Sequence, residues 1–122
     1  MRRFGELEAV IMDCLWTWRR PVTAREVERH LRTRREIAYT TVTTVMENLH
    51  RKGWLRRHRE GRAYVYQPVH SREDYAARLM HEALVLSTDH GTTFAHFLHR
   101  ISAEESRALT RALNQLRREH GR

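Results

Sequence analysis

The feature that most constrains this chain is a change of period at Gly53. Before it, apolar residues recur at spacings of three and four, the period of helices. After it, short apolar runs flank a polar turn, the pattern of paired strands. A chain that reads helix, helix, helix, hairpin has few folds open to it.

The first segment, Gly5 to Trp18, carries apolar residues at Leu7, Val10, Ile11, Cys14, Leu15 and Trp18. Arg19-Arg20-Pro21 ends it, because the residue before a proline is pushed out of helical geometry. The second helix starts at Thr23. Thr23 and Glu26 have capping-box spacing, and Val22 and Val27 occupy the staple positions around them. It runs to about Arg32 and buries Ala24, Val27 and Leu31. The third spans roughly Ala38 to Lys52 with Val42, Val45, Met46 and Leu49 as its buried stripe. Thr40, Thr43, Thr44 and Glu47 form the opposite face, with Thr41 and Asn48 on the flanks. Threonine is a poor helix former, so four of them between positions 40 and 44 require a reason other than helix stability.

Trp54–His58 and Ala63–Gln67 read as strands, with Arg59-Glu60-Gly61-Arg62 as the turn. The remainder is helical. A helix opens at Ser71 with a stripe of Ala76, Leu79, Met80, Ala83 and Leu84, and Asp89-His90-Gly91 interrupts it. A short apolar piece runs from Phe94 to Ile101. Ser102 and Glu105 form another capping box, opening a last helix with Leu109, Ala112, Leu113 and Leu116 on one face. The expected fold is mostly α with a small two-stranded hairpin. A winged helix-turn-helix over residues 1–69 is followed by a helical dimerisation segment over 70–122.

Charge divides the chain at the same place. Residues 1–69 carry 15 basic and 8 acidic side chains, a net of +7; residues 70–122 carry 8 and 7, a net of +1. A basic front suits a polyanion. All but one of the 23 cations are arginine, which a GC-rich genome would explain, but composition does not explain the asymmetry. The single cysteine, Cys14, forbids an internal disulfide. Glu6, Glu8 and Asp13 interrupt any signal-peptide core, and no stretch approaches the ~20 apolar residues of a membrane span. A cytoplasmic protein without membrane insertion is expected.

In a winged helix-turn-helix the helix after the turn enters the major groove and the hairpin reaches flanking backbone. The partner expected here is double-stranded DNA. Thr40, Thr41, Thr43, Thr44 and Asn48 can read base edges, the threonine methyls meeting thymine methyls. Tyr39 and the wing residues Arg56, Arg57, Arg59 and Arg62 can hold phosphates. Each feature alone also describes a solvated surface; their succession on adjacent elements favours DNA. The C-terminal helices have apolar stripes and little to pack on. A partner subunit is therefore expected over Leu79, Met80, Leu84, Phe94, Phe97, Leu98, Leu109, Leu113 and Leu116. A dimer would bind two half-sites about one helical turn apart.

No nucleophile arrangement, glycine-rich phosphate loop or carboxylate pair points to an enzyme, and no cofactor is expected. His96 and His99, with His81 and His90 nearby, leave a metal-responsive regulator as one alternative, though no metal site is assigned. A winged-helix module that binds another protein is a second.

Three stretches carry a resemblance. Leu7-Glu8-Ala9-Val10-Ile11-Met12-Asp13-Cys14-Leu15-Trp16, the run from Tyr39 through Leu49 to Lys52-Gly53, and Tyr64-Val65-Tyr66-Gln67-Pro68 are similar to the BlaI/MecI family of penicillinase repressors. The resemblance implies a dimer that binds inverted repeats in promoters of resistance genes and of its own operon. It also implies relief of repression when a membrane sensor protease, alerted by a β-lactam, cuts the dimerisation region between an Asn and a Phe. The equivalent bond here is His96–Phe97, with histidine in place of the asparagine. A copper-responsive branch of the family carries a C-terminal cysteine cluster, which this chain lacks.

Overall fold

The second helix begins where its capping box requires. In the computed structural model, which describes residues 3–121, the Glu26 backbone N–H donates to Thr23 Oγ1 at 3.2 Å, and the Thr23 N–H donates to Glu26 Oε1 at 3.1 Å. The elements are α1 (Glu6–Trp18), β1 (Val22–Thr23), α2 (Ala24–Leu31), α3 (Tyr39–Arg51), β2 (Leu55–Glu60), β3 (Ala63–Pro68), α4 (Arg72–Val85), α5 (His90–Leu98) and α6 (Ala103–His120). By contact density the chain forms two compact units, the first ending at Met80 and the second spanning His81–Arg122.

The first unit holds the core. Ile11, Met12 and Leu15 of α1, Val22, Val27 of α2, and Val42, Met46 and Leu49 of α3 are fully buried, with Leu55 beside them. Each such side chain contributes about 1.5–3 kcal/mol through removal from water. Met12 lies outside the single stripe read for α1. It is buried because α1 contacts both α3 and β3, so two of its faces are covered.

The expected two-stranded hairpin is a three-stranded antiparallel sheet in the order β1-β3-β2. Val22 pairs with Tyr66 and Thr23 with Val65. The added strand is two residues long, too short to show a period, and Val22 therefore reads in the sequence only as a staple. The β2–β3 register pairs Arg57 with Tyr66, Arg59 with Tyr64 and Glu60 with Ala63. The turn is Gly61-Arg62, where Gly61 takes the positive φ (63°) that tight hairpins require.

An aromatic box closes the far end of this unit. Phe4 stacks on Tyr75 of α4, ring centres 4.1 Å apart, and its backbone N–H donates to the Tyr75 hydroxyl at 2.8 Å. Trp54 meets both rings edge-on, and Trp16 Nε1 donates to the His70 carbonyl at 2.9 Å. The first turns of α4 thus belong with the N-terminal unit.

In the second unit, α5 begins at His90 rather than at Phe94. Asp89 supplies the cap, accepting from the Thr92 N–H at 3.1 Å. Ser102 and Glu105 cap α6 reciprocally at 3.0 and 2.8 Å. Neither α5 nor α6 contains a buried residue, and the same holds for α4. Leu79 and Leu84 are half-buried, whereas Met80, Phe94, Phe97, Leu98, Leu109, Leu113 and Leu116 are exposed. No helix among the described residues is long and apolar enough to cross a membrane.

Candidate nucleic-acid interface

The third helix is anchored by Val42, Met46 and Leu49, which fixes what it turns outward. At 100° per residue, Thr40, Thr44, Glu47 and Arg51 point away from that stripe. Thr40, Thr41, Thr44 and Arg51 are exposed; Thr43 and Asn48, at the margins, are half-buried. Thr43 Oγ1 donates to the Thr40 carbonyl at 2.9 Å, which commits its proton to its own helix. Arg51 Nη2 donates to Asn48 Oδ1 at 2.7 Å, so these two present a joined polar group. Arg51 is absent from the expected reading set, although it stands seven residues after Thr44 and therefore on the same face.

The start of α3 lacks a side-chain cap. Its N-cap residue is Ala38, which has no acceptor to offer the first N–H groups. Beside that start, the Arg25 guanidinium lies 3.9 Å from the centre of the Tyr39 ring. Arg25 and Arg32 both reach Glu28, at 3.3 and 3.0 Å. Glu28 is the one buried charged residue among those described, its side chain only 3% exposed. Arg25, Arg32 and Arg35 line an open groove between α2 and the start of α3. Sequence reasoning missed all of them, although Arg25-x-x-Glu28 and Glu28-x-x-x-Arg32 have helical pairing distances.

The wing arginines divide into two kinds. Arg57 is turned inward: it pairs with Glu47 of α3, lies over the Tyr64 ring at 4.1 Å and donates to the Tyr66 hydroxyl at 3.4 Å. The Tyr66 hydroxyl and the Glu47 carboxylate hold its guanidinium still more firmly protonated than usual. It braces the wing against α3. Arg56, Arg59 and Arg62 are exposed. Arg59 leans on Tyr64 at 5.2 Å, and Arg56 donates from Nε at 2.6 Å to the Gln67 amide oxygen, in the amide orientation that satisfies both groups.

Nothing in this geometry resembles a metal centre. No group of three or more His, Cys, Asp or Glu among the described residues is placed to hold an ion. Cys14 lies in the core, where burial, with Asp13 adding to it, pushes its thiol above the usual range and keeps it protonated at neutral pH.

Helix, helix and exposed reading helix, followed by a three-stranded sheet with a basic tip, define a winged-helix DNA-binding domain. Residues 4–115 match the model of the penicillinase repressor family. The chain belongs to that family: it is a transcriptional repressor of the BlaI type and not an enzyme. It is 43% identical to the transcriptional regulator BlaI of Mycobacterium tuberculosis over 124 aligned positions, covering 99% of this chain and 90% of that one. The solution structure of the DNA-binding domain of the repressor BlaI matches at 28% identity with a TM-score of 0.51, over 62% of this chain and 94% of that one. The monomeric form of Bacillus licheniformis BlaI in complex with the blaP half-operator matches at 28% identity and a TM-score of 0.51, over 61% and 89% of the two chains.

Proposed function

We propose that the chain acts as a homodimer on an inverted-repeat operator, each subunit placing α3 in the major groove of one half-site. Thr40, Thr41 and Thr44 meet base edges. Thr43, its hydroxyl proton already donated, offers a methyl suited to a thymine methyl. Arg51 and Asn48 form a joined donor and acceptor at the end of the reading face. Tyr39, Arg56, Arg59 and Arg62 hold phosphates, and Arg57 sets the angle between wing and helix. The observation that carries this reading is the alignment of an exposed polar face on α3 with a basic wing tied to it through Arg57 and Glu47.

Self-association is supported by the exposed apolar side chains from Met80 to Leu116 on helices that bury nothing of their own. Relief of repression follows from a cut at His96–Phe97 by a membrane sensor protease. Both residues are exposed on α5, which must unwind locally to enter a protease as an extended strand.

The test is binding of the full chain to a duplex from its own promoter region and to a scrambled duplex, across a salt series. Preference for the promoter duplex, with log affinity falling linearly in log salt, is the expected outcome. Equal affinity for both duplexes would remove the sequence-specific claim. In cells treated with a β-lactam, mass spectrometry should find a fragment beginning at Phe97. An intact chain while repression is relieved would remove the proteolytic step.

A further inference from the structure

The buried carboxylate of Glu28 is not explained by stability. Removing a charge from water costs several kcal/mol per ion, and well-packed apolar residues in place of a buried ion pair are often as stable or more so. Both of its oxygens are nonetheless engaged: Oε1 receives Arg25 at 3.3 Å and Oε2 receives Arg32 at 3.0 Å. The two guanidinium groups remain largely in solvent, with side chains 52% and 66% exposed. Glu28 therefore acts as a fixed post inside α2 to which two outward-facing cations are tied.

Arg25 is held at a second point. Its guanidinium lies over the Tyr39 ring, so one edge is fixed by a carboxylate and one face by an aromatic ring. A free arginine gives up considerable rotamer entropy when it grips a phosphate. One already fixed at two points gives up less, and the Arg25 side chain lines the groove at the start of α3.

We propose that Glu28 is a positioning residue for DNA binding, holding Arg25 against Tyr39 so that the pair forms a preset clamp for one backbone phosphate beside α3. The proposal rests on the DNA-binding reading above. Its consequence runs against simple electrostatics. Glu28→Gln makes the protein one unit more positive, and charge alone would tighten its hold on a polyanion. If Glu28 positions Arg25, the same change weakens binding.

The experiment uses the full chain and the promoter and scrambled duplexes. Wild-type protein must first bind the promoter duplex in a salt-dependent manner; if it does not, the DNA-binding reading fails before Glu28 is tested. Glu28→Gln should then bind both duplexes about eight-fold more weakly near 0.1 M salt, with a salt slope shallower by about 0.9, the signature of one lost phosphate contact. In an Arg25→Ala background the same change should cost nothing further. Arg25→Lys, which keeps the charge but cannot span both Glu28 and the Tyr39 face, should lose nearly as much as Arg25→Ala, and it serves as the test if Glu28→Gln does not fold. Tighter binding by Glu28→Gln, an unchanged slope, or additive losses with Arg25→Ala would overturn the proposal. Wild-type binding by Arg25→Lys would do the same.

Discussion

A single substitution at Ala38 should push stability and DNA affinity in opposite directions. Ala38 already has the extended backbone of an N-cap residue, φ −82° and ψ 145°, and its side chain is exposed. Ala38→Asp can therefore cap α3 without rearrangement. A cap is worth about 1 kcal/mol, and a negative charge at a helix N-terminus adds roughly 0.5 kcal/mol more. For a unit of this size that raises Tm by roughly 6–10 °C. On DNA the sign reverses. A carboxylate about 6 Å from a phosphate, in a wet interface of effective dielectric constant about 40, is repelled by about 1.4 kcal/mol, or ten-fold in affinity. Ala38→Ser separates the two effects, because it caps without charge and should raise Tm with a much smaller loss of binding. Thermal unfolding by circular dichroism and fluorescence anisotropy with a labelled duplex read the two quantities. If Ala38→Asp stabilises the protein and binds DNA as well as wild type does, the start of α3 does not face a phosphate and the proposed docking is wrong.

Arg57→Ala should weaken binding to all sequences, and Arg57→Ala with Glu47→Gln should recover part of the loss, because the unpaired Glu47 carboxylate is then gone from the DNA-facing side. No recovery would mean that Arg57 itself grips phosphate. Leu113→Asp should convert the proposed dimer to monomer in sedimentation equilibrium while leaving the unfolding of the first unit unchanged, since Leu113 is 48% exposed within its own chain. Thr23→Ala should cost about 1 kcal/mol by urea unfolding. The backbone N–H of Thr23 and, to a lesser extent, Arg20 hold the Glu26 carboxyl below its usual range. The carboxylate's contribution to the cap is therefore present above the ordinary glutamate pKa and fades as pH falls through the lowered value, so wild type and Glu26→Gln should converge in acid, while Thr23→Ala, which keeps that backbone N–H, should stay below wild type throughout.

The residues that made the fold legible are those whose signal is local. Thr23 with Glu26, Ser102 with Glu105, and the Val42–Met46–Leu49 stripe each specify an element within one or two turns of helix, and each appears where its spacing requires. What escaped depends on contacts distant in sequence. β1 exists because Val22 and Thr23 meet Tyr66 and Val65, and two residues carry no period. Met12 is buried on a helix that contacts both β3 and α3, which one helical stripe cannot foretell. In the candidate interface, the threonine face was readable from periodicity. The inward turn of Arg57 was not, because its partners Glu47 and Tyr66 stand on other elements; the pairing of Glu28 with Arg25 and Arg32 was open to helical spacing, but its burial was not. Arg51 was accessible to periodicity, and the adjacent threonine run overshadowed it.

The aromatic box has a practical bearing on how this protein can be divided. A fragment ending at Val69 would remove Tyr75, the ring on which Phe4 lies flat and which Trp54 meets edge-on, and with it Arg78, which lies over Trp54 at 5.6 Å. Phe4, Trp16 and Trp54 would then line a bare apolar surface of the kind that drives association. A fragment carried through Met80 keeps the box closed. The longer piece should remain monodisperse with a blue-shifted tryptophan emission, whereas the shorter one should self-associate or precipitate. The smallest DNA-binding piece of this repressor that can be handled alone therefore includes the first turns of the helix that follows the wing.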